Sequence, residues 1–190
     1  MRKLTVFSVA AAVMIAGFVE TRAMARDDRP VACVYVKASR IKRNQLVALV
    51  RSGFTPAGSE EKEAMMSLGD AVAACRVQNG WSEKRQGIAV RYMSARVLRE
   101  DASFHGKKFG LTDEMLVGLV ATLDAAGRAA YVAGQPTPEL NRAAVAYLKG
   151  AGMGVDALPL EDMTRLGELV GQGVTGIIVQ QEAEANYAAR

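Results

Sequence analysis

The cysteines and the histidine are the side chains of this sequence with the widest chemistry, and they are few. Cys33 and Cys75 are the only cysteines, and His105 is the only histidine. Zinc sites use three or four such ligands, so this set does not predict a metal centre, and we expect no cofactor. In an oxidising compartment an even number of cysteines indicates a disulfide. We therefore predict a Cys33–Cys75 bond, with two buried free thiols as the alternative.

His105 follows two acidic residues in the segment REDASFHG, close to the predicted end of a helix. One interpretation makes it a general base that Asp101 or Glu100 orients. The other makes it a solvated residue that interacts with the negative end of the helix dipole. A histidine hydrolase also needs a nucleophile, and the sequence contains no G-x-S-x-G elbow. The solvated interpretation is therefore favoured, and the sequence leaves a catalytic role for His105 open.

Two segments, Ser39–Lys42 and Ser59–Lys62, match the S-x-x-K pair of penicillin-interacting enzymes. In those enzymes the lysine activates a serine one helical turn away. The S-D-N and K-T-G motifs that complete such a site are missing from this sequence. We therefore expect Ser59 to cap a helix instead.

The segment GQGVTG at 171–176 has the letters of the dinucleotide-binding motif G-x-G-x-x-G. That motif needs a strand before the glycines and an acidic residue about 20 positions later. Here a helical pattern precedes the glycines, which argues against a nucleotide site. We expect instead that Gly167 and Gly171, one helical turn apart, let a neighbouring helix approach closely.

The strongest candidate for a binding surface is basic. Four side chains of one predicted helix fall within about 60° of arc at 100° per residue, and two lysines follow in the next loop. This arginine stripe consists of Arg85, Tyr92, Arg96, Arg99, Lys107 and Lys108. Grouped arginines can bind phosphates, anionic lipid head groups or an acidic protein partner. Glu100 and Asp101 dilute the charge, so a solvated outer face is the alternative.

The first residues of the chain have the three regions of a secretory signal peptide. Arg2 and Lys3 form a basic start, an apolar run follows over 4–19, and Ala23-x-Ala25 supplies the small residues that signal peptidase requires. The apolar run is shorter than a membrane span of about 20 residues, which makes an N-terminal anchor the less favoured alternative. We predict cleavage after Ala25, and hence a periplasmic or secreted protein.

Removal of residues 1–25 leaves about 165 residues, a length typical of one domain. The formal net charge of the full sequence is +4. Three basic residues and one acidic residue lie in the predicted signal peptide, so the mature chain has a charge of +2. Such a weak charge on an exported protein does not indicate nucleic-acid binding. We expect residues 26–190 to form a single helical domain that is not an integral membrane protein.

Helical periodicity dominates the mature chain. We expect helices over about 40–51, 59–79, 83–103, 112–123, 137–150 and 161–185. Ser82 and Thr112 are predicted N-caps, Pro138 suits a first helical position, and Gly80 suits a left-handed C-terminus. Val31–Ala38 is the exception, because its β-branched residues and tyrosine favour a short extended segment. The predicted fold is therefore all-α: a single bundle of five or six helices after that segment.

These observations favour a non-enzymatic exported domain that binds an envelope component or a protein partner through the arginine stripe. A small periplasmic hydrolase or transferase, with catalytic residues scattered in sequence, is the first alternative. A carrier of a small apolar ligand is the second alternative, because methionines on the predicted apolar faces could line a cavity between helices. Those methionines are Met65, Met66, Met93, Met115 and Met163.

Overall fold

The computed structural model describes residues 28–189. The predicted signal peptide and its cleavage site after Ala25 lie outside these residues and stay predictions. Between 28 and 189 the chain is helical and contains no strand, which confirms the all-α prediction. None of the helices in this part of the chain has the length and apolar character needed to cross a membrane.

Eight α-helices form in the described residues, in place of the predicted five or six. They are α1 (Cys33–Ala38), α2 (Arg43–Arg51), α3 (Ser59–Asn79), α4 (Glu83–Gly106), α5 (Asp113–Thr122), α6 (Ala125–Val132), α7 (Pro138–Gly150) and α8 (Leu160–Ala188). Three short 3-10 helices accompany them: Pro30–Ala32, Lys107–Phe109 and Val155–Ala157. The two helices beyond the expected number are α1 and α6.

The segment Val31–Ala38 is helical, so the predicted extended conformation is wrong. It buries five residues, and all but Ala32 have the i, i+3, i+4, i+7 spacing of one helix face: Val31, Val34, Tyr35 and Ala38. β-Branched residues lower helix propensity only slightly, and burial of this face outweighs that preference. The period of the buried positions, rather than the residue types, determines the conformation here.

Cys33 and Cys75 form a disulfide, with the two sulfur atoms 2.07 Å apart. This is the pair that the sequence predicts. The bond joins the start of α1 to the C-terminal half of α3 across 42 positions of the chain. Cys75 is fully buried, so the bond lies within the hydrophobic interior where α1, α3 and α4 meet.

Most of the predicted helix boundaries occur where the capping residues place them. The side chains of Ser82, Thr112 and Thr137 each accept a hydrogen bond from the backbone N–H three residues later. Gly80 ends α3 with a φ of 60°, a left-handed conformation that glycine adopts without the strain of a side chain. Ser59 is an exception, because Gly58 is the N-cap of α3 and Ser59 is its first helical residue.

Helix α6 is absent from the sequence-based prediction, although its N-cap is a standard one. The carboxylate of Asp124 accepts a hydrogen bond from the backbone N–H of Gly127, with an N–O distance of 2.7 Å. Eight residues make this a helix of only two turns, too short to show a clear hydrophobic period. It buries Tyr131, which lines the site described below.

Helices α4 and α8 are the longest, and they pack against each other in antiparallel directions. At one end the Trp81 indole N–H donates to the Tyr187 hydroxyl at 2.7 Å. At the other end Lys108 Nζ lies 3.5 Å from Asp162. At their crossing, a Cβ on Gly176 would lie 2.7 Å from the backbone oxygen of Ala95. Glycine at 176 therefore sets how closely the two helices approach.

Two hydrophobic clusters lie along α8. The N-terminal cluster surrounds the disulfide and brings α1, α2 and α3 against α4 and the end of α8. The C-terminal cluster brings α5, α6 and α7 against the first two thirds of α8. Because α8 contributes side chains to both clusters, it connects the two halves of the described chain.

Candidate functional site

The arginine stripe does not form one exposed surface, because Tyr92 is fully buried. Its hydroxyl accepts hydrogen bonds from Arg29 Nη2 at 2.8 Å and from Arg96 Nη1 at 3.3 Å. The amide of Gln180 on α8 donates to the same oxygen at 3.3 Å. Tyr92 is thus the centre of an internal polar network, and a ligand at the surface does not reach it.

Arg96 is held between α4 and α1. Its guanidinium carbon lies 4.0 Å from the centroid of the Tyr35 ring, and its Nε donates to Glu100 at 3.1 Å. The Tyr35 hydroxyl donates to the same carboxylate at 2.8 Å. Burial alone would lower the pKa of Arg96, but its hydrogen bonds to Glu100 and Tyr92 raise it. For the neutral Tyr35 hydroxyl, burial and the hydrogen bond to Glu100 both raise the pKa.

Arg99 joins α4 to the first turn of α5 through Asp113. Its Nε donates to one carboxylate oxygen at 2.7 Å and its Nη2 donates to the other, a bidentate geometry that arginine favours. Its Nη1 also donates to Gln180 at 3.2 Å. The bond to Arg99 lowers the pKa of Asp113 below its ordinary value, against the opposing effect of burial.

Asp113→Asn is expected to lower stability at neutral pH and to make no difference in acid. A depressed pKa in the folded state contributes stability above the pKa of the unfolded chain, about 3.9 for aspartate. That contribution is lost as the pH falls through the folded-state value. Because the carboxylate is partly exposed, screening limits the effect to about 1 kcal/mol or less. Urea midpoints of both proteins across a pH series measure it.

Glu83→Gln is the matched control for that substitution. Glu83 also occupies the first helical position after a capping residue, so it shares the interaction of Asp113 with a helix dipole. It has no ion pair with the described residues. A loss in Glu83→Gln equal to that in Asp113→Asn would assign the effect to the dipole rather than to Arg99.

The remaining members of the stripe lie apart. Arg85 contacts the face of Tyr187, with 5.5 Å between its guanidinium carbon and the ring centroid. Lys108 is beside Phe109 and Asp162, and Lys107 is exposed. Arg96 therefore links α4 to α1, and Arg99 links α4 to α5. The other cationic members of the stripe lie separately at the surface.

His105 lies in the last turn of α4, with its Nε2 3.4 Å from Asp101. Asp101 is buried and accepts hydrogen bonds from Arg51 at 2.8 Å and from Gln172 at 2.9 Å. Among the hydrogen bonds of residues 28–189, none joins the His105 ring to a hydroxyl or a thiol. Within the described hydrogen bonds, the His105–Asp101 pair therefore has no nucleophile beside it. Glu100, the other predicted partner, is instead bound by Tyr35 and Arg96.

An open groove of about 320 Å³ lies between α6, α7 and α8, at the edge of the C-terminal cluster. Its walls are mostly aliphatic, and they include Ala144, Val145, Leu148, Leu166 and Val170. None of the described residues that line it is an aspartate, glutamate, lysine or arginine. An apolar concavity of this size is typical of a site for a small molecule.

Two polar side chains, those of Tyr131 and Asn141, line this groove. Tyr131 is only 3% exposed, and its hydroxyl makes no hydrogen bond to the described residues. Every fully buried side-chain nitrogen or oxygen in this part of the chain does have a partner. The Tyr131 oxygen is therefore not completely enclosed, and Tyr131 is one of the residues that line the groove. Burial raises the pKa of Tyr131, so its hydroxyl stays a neutral donor.

Gly167 and Gly171 form part of the groove lining on α8. The prediction that these two glycines bring a neighbouring helix close is wrong, because a Cβ on either would meet no other atom within 4 Å. The close approaches belong to Gly173 and Gly176. Glycine within a helix costs up to about 1 kcal/mol relative to alanine. At 167 and 171 no close packing offsets this cost. The missing side chains leave open space in the groove.

A second groove of about 490 Å³ lies between α3 and α4 and is more open to solvent. Met65, Val72 and Val90 line it together with Arg76 and Gln86. It is the less enclosed of the two grooves, and Arg76 gives its lining a charge that an apolar ligand cannot pair. The groove at α6, α7 and α8 is therefore the better candidate for a specific ligand.

The methionines that suggest a carrier contribute little to this groove. Met163 lines it and Met65 lines the second one, whereas Met93 is in the core and Met66 is 67% exposed. The residue that most distinguishes the groove, Tyr131, follows a segment with a clear helix-start signal at Asp124. That cap is the local signal from which α6 can be predicted.

Comparison of the chain with known protein families, with curated proteins and with solved structures finds no significant match.

Proposed function

We propose that this protein is an exported, non-enzymatic binding protein that carries a small apolar ligand in the groove between α6, α7 and α8. The observation that supports this most directly is an uncharged, largely aliphatic concavity whose lining includes Tyr131, a largely buried residue whose hydroxyl has no hydrogen bond to the described residues. Small-molecule sites share this composition of apolar walls with a few polar groups.

The carrier is preferred to an interaction domain that uses the arginine stripe. Such a domain needs an exposed cationic surface, whereas Arg96 and Arg99 are paired with Glu100 and Asp113. A hydrolase is also less well supported, because His105 has no nucleophile within the described hydrogen bonds.

Export is part of the proposal, on two grounds. The N-terminal sequence has the pattern of a cleaved signal peptide. The Cys33–Cys75 bond is the kind of cross-link that persists in oxidising compartments. The protein recovered from the periplasmic extract of a Gram-negative host is therefore expected to begin at Arg26. A chain that keeps Met1 would contradict this part of the proposal.

The test of the carrier is the binding of a small neutral aromatic fluorophore, 1-naphthylamine, to wild type and to Gly171→Leu. Leucine places an aliphatic side chain in the open space beside Val170. It should improve helix propensity while occupying the volume that the fluorophore needs. We expect saturable fluorescence enhancement with the wild type and affinity weaker by about tenfold or more in the variant.

Gly87→Leu is the matched control. Gly87 is also within a helix, has no atom within 4 Å of a built Cβ and does not line the groove. This control should bind the fluorophore as the wild type does. If the wild type does not bind it, or if Gly171→Leu binds it equally well, the groove is not a ligand site and the proposed function is wrong.

A further inference from the structure

We infer that the ligand of this groove is an uncharged molecule of about a dozen non-hydrogen atoms that carries one hydrogen-bonding oxygen, and that the Tyr131 hydroxyl recognises this oxygen. This inference rests on the proposed function and specifies its ligand. It depends on three properties of the groove: its volume, its lack of charge and the largely buried Tyr131 in its lining, whose hydroxyl has no hydrogen bond to the described residues.

The volume sets the size of the ligand. An apolar cavity of about 150 Å³ accommodates benzene, which has six carbon atoms. In the same proportion a groove of about 320 Å³ accommodates about a dozen non-hydrogen atoms. A fused bicyclic or branched hydrocarbon skeleton has this size, whereas a long acyl chain would extend into solvent.

The lining sets the charge of the ligand. The groove offers no lysine or arginine to a carboxylate and no aspartate or glutamate to an amine. Burying an ion without a partner costs far more than burying a neutral group. A ligand that places its charge inside the groove is therefore disfavoured, and a neutral molecule is favoured.

Tyr131 sets the position of the polar atom. Its hydroxyl can donate or accept a hydrogen bond, and no described residue occupies it. A neutral alcohol, phenol or ketone can use this group, whereas a pure hydrocarbon leaves it unpaired in a site from which the ligand excludes water. Unpaired buried polar groups reject ligands that do not satisfy them. Asn141 at the exposed side of α7 offers a second, weaker polar contact.

Three naphthalene probes of matched shape test the inference by isothermal titration calorimetry at neutral pH: 2-naphthol, 2-methylnaphthalene and 2-naphthoate. We expect wild type to bind 2-naphthol about fivefold more tightly than 2-methylnaphthalene, the effect of one net hydrogen bond. We expect 2-naphthoate to bind more weakly than either. Tyr131→Phe should remove the preference for 2-naphthol, in part by raising the affinity for 2-methylnaphthalene, because no hydroxyl is then left unpaired.

Tyr147→Phe is the control, because Tyr147 lies on α7 but packs its hydroxyl over Gly118 rather than lining the groove. It should keep the preference for 2-naphthol. Equal binding of 2-naphthol and 2-methylnaphthalene, an unchanged preference in Tyr131→Phe, or tightest binding of 2-naphthoate would overturn the inference and leave the groove a binding site. If none of the three probes binds and 1-naphthylamine also fails to bind, the proposed function itself is wrong.

Discussion

Gly176→Ala is expected to lower the free energy of unfolding by about 2 kcal/mol, the middle of the range for overpacked interiors. The added Cβ would lie 2.7 Å from the Ala95 backbone oxygen and 3.0 Å from the Arg99 backbone nitrogen. Both are main-chain atoms of α4 and cannot move without the helix. The substitution must therefore separate α4 from α8, the central pair of the fold.

The other glycines of α8 provide a graded series for the same measurement. A Cβ on Gly173 would clash mainly with the side chain of Leu116, which can rotate, so Gly173→Ala should cost less. Gly171→Ala meets nothing and should be neutral or stabilising by up to about 1 kcal/mol. Guanidinium unfolding followed by circular dichroism gives all three values. Equal midpoints for Gly171→Ala and Gly176→Ala would show that the helix crossing tolerates a methyl group.

Removal of the disulfide is expected to have the largest effect on stability. Cross-linking a chain across 42 positions restricts the unfolded ensemble, and the chain-entropy relation assigns this about 4 kcal/mol. The double variant Cys33→Ala/Cys75→Ala avoids placing hydroxyl groups in the core around Cys75. We expect it to unfold at a much lower guanidinium concentration, and to do so identically with and without reductant.

Reduced wild-type protein distinguishes the contribution of the cross-link to stability from the contribution of the packed cysteine side chains. It keeps both cysteines and their packing but lacks the cross-link, so it should lose most of the stability that the double variant loses. A reduced wild type as stable as the oxidised protein would show that the cross-link contributes nothing. A double variant much less stable than reduced wild type would instead assign the loss to packing in the N-terminal cluster.

Local sequence signals were sufficient for most helix boundaries. Ser82, Thr112 and Thr137 bond to backbone groups three residues away, and Gly80 requires only its own backbone freedom. Such interactions lie within one turn of the chain, so they can be read without knowledge of the fold. The same reasoning fails for Val31–Ala38, where burial against α3 and α4 outweighs the preference of β-branched residues.

The arginine stripe shows that the spacing of residues along one helix does not predict which of their side chains are exposed. Helical spacing correctly places Tyr92, Arg96 and Arg99 near one another on α4. Spacing does not reveal that Asp113 from α5 and Tyr35 from α1 approach them. Because long-range partners decide whether a charge is solvated or paired, a cationic stripe in the sequence becomes a set of interhelical contacts in the fold.

The sequence by itself determines the all-helical character, most helix starts and the pairing of the only two cysteines, because these depend on local periodicity, capping and composition. Only the tertiary structure decides which glycines of α8 touch a neighbour and which leave space. Gly176 lies against the backbone of α4, whereas Gly171 faces an open groove, although both belong to the same six-residue motif. Successive residues of a helix point 100° apart, so the two glycines face different sides of α8. Gly176 faces α4 on one side, and Gly171 faces the groove on the other. The unpaired hydroxyl of Tyr131 is likewise a property of the assembled helices, since its environment comes from α7 and α8.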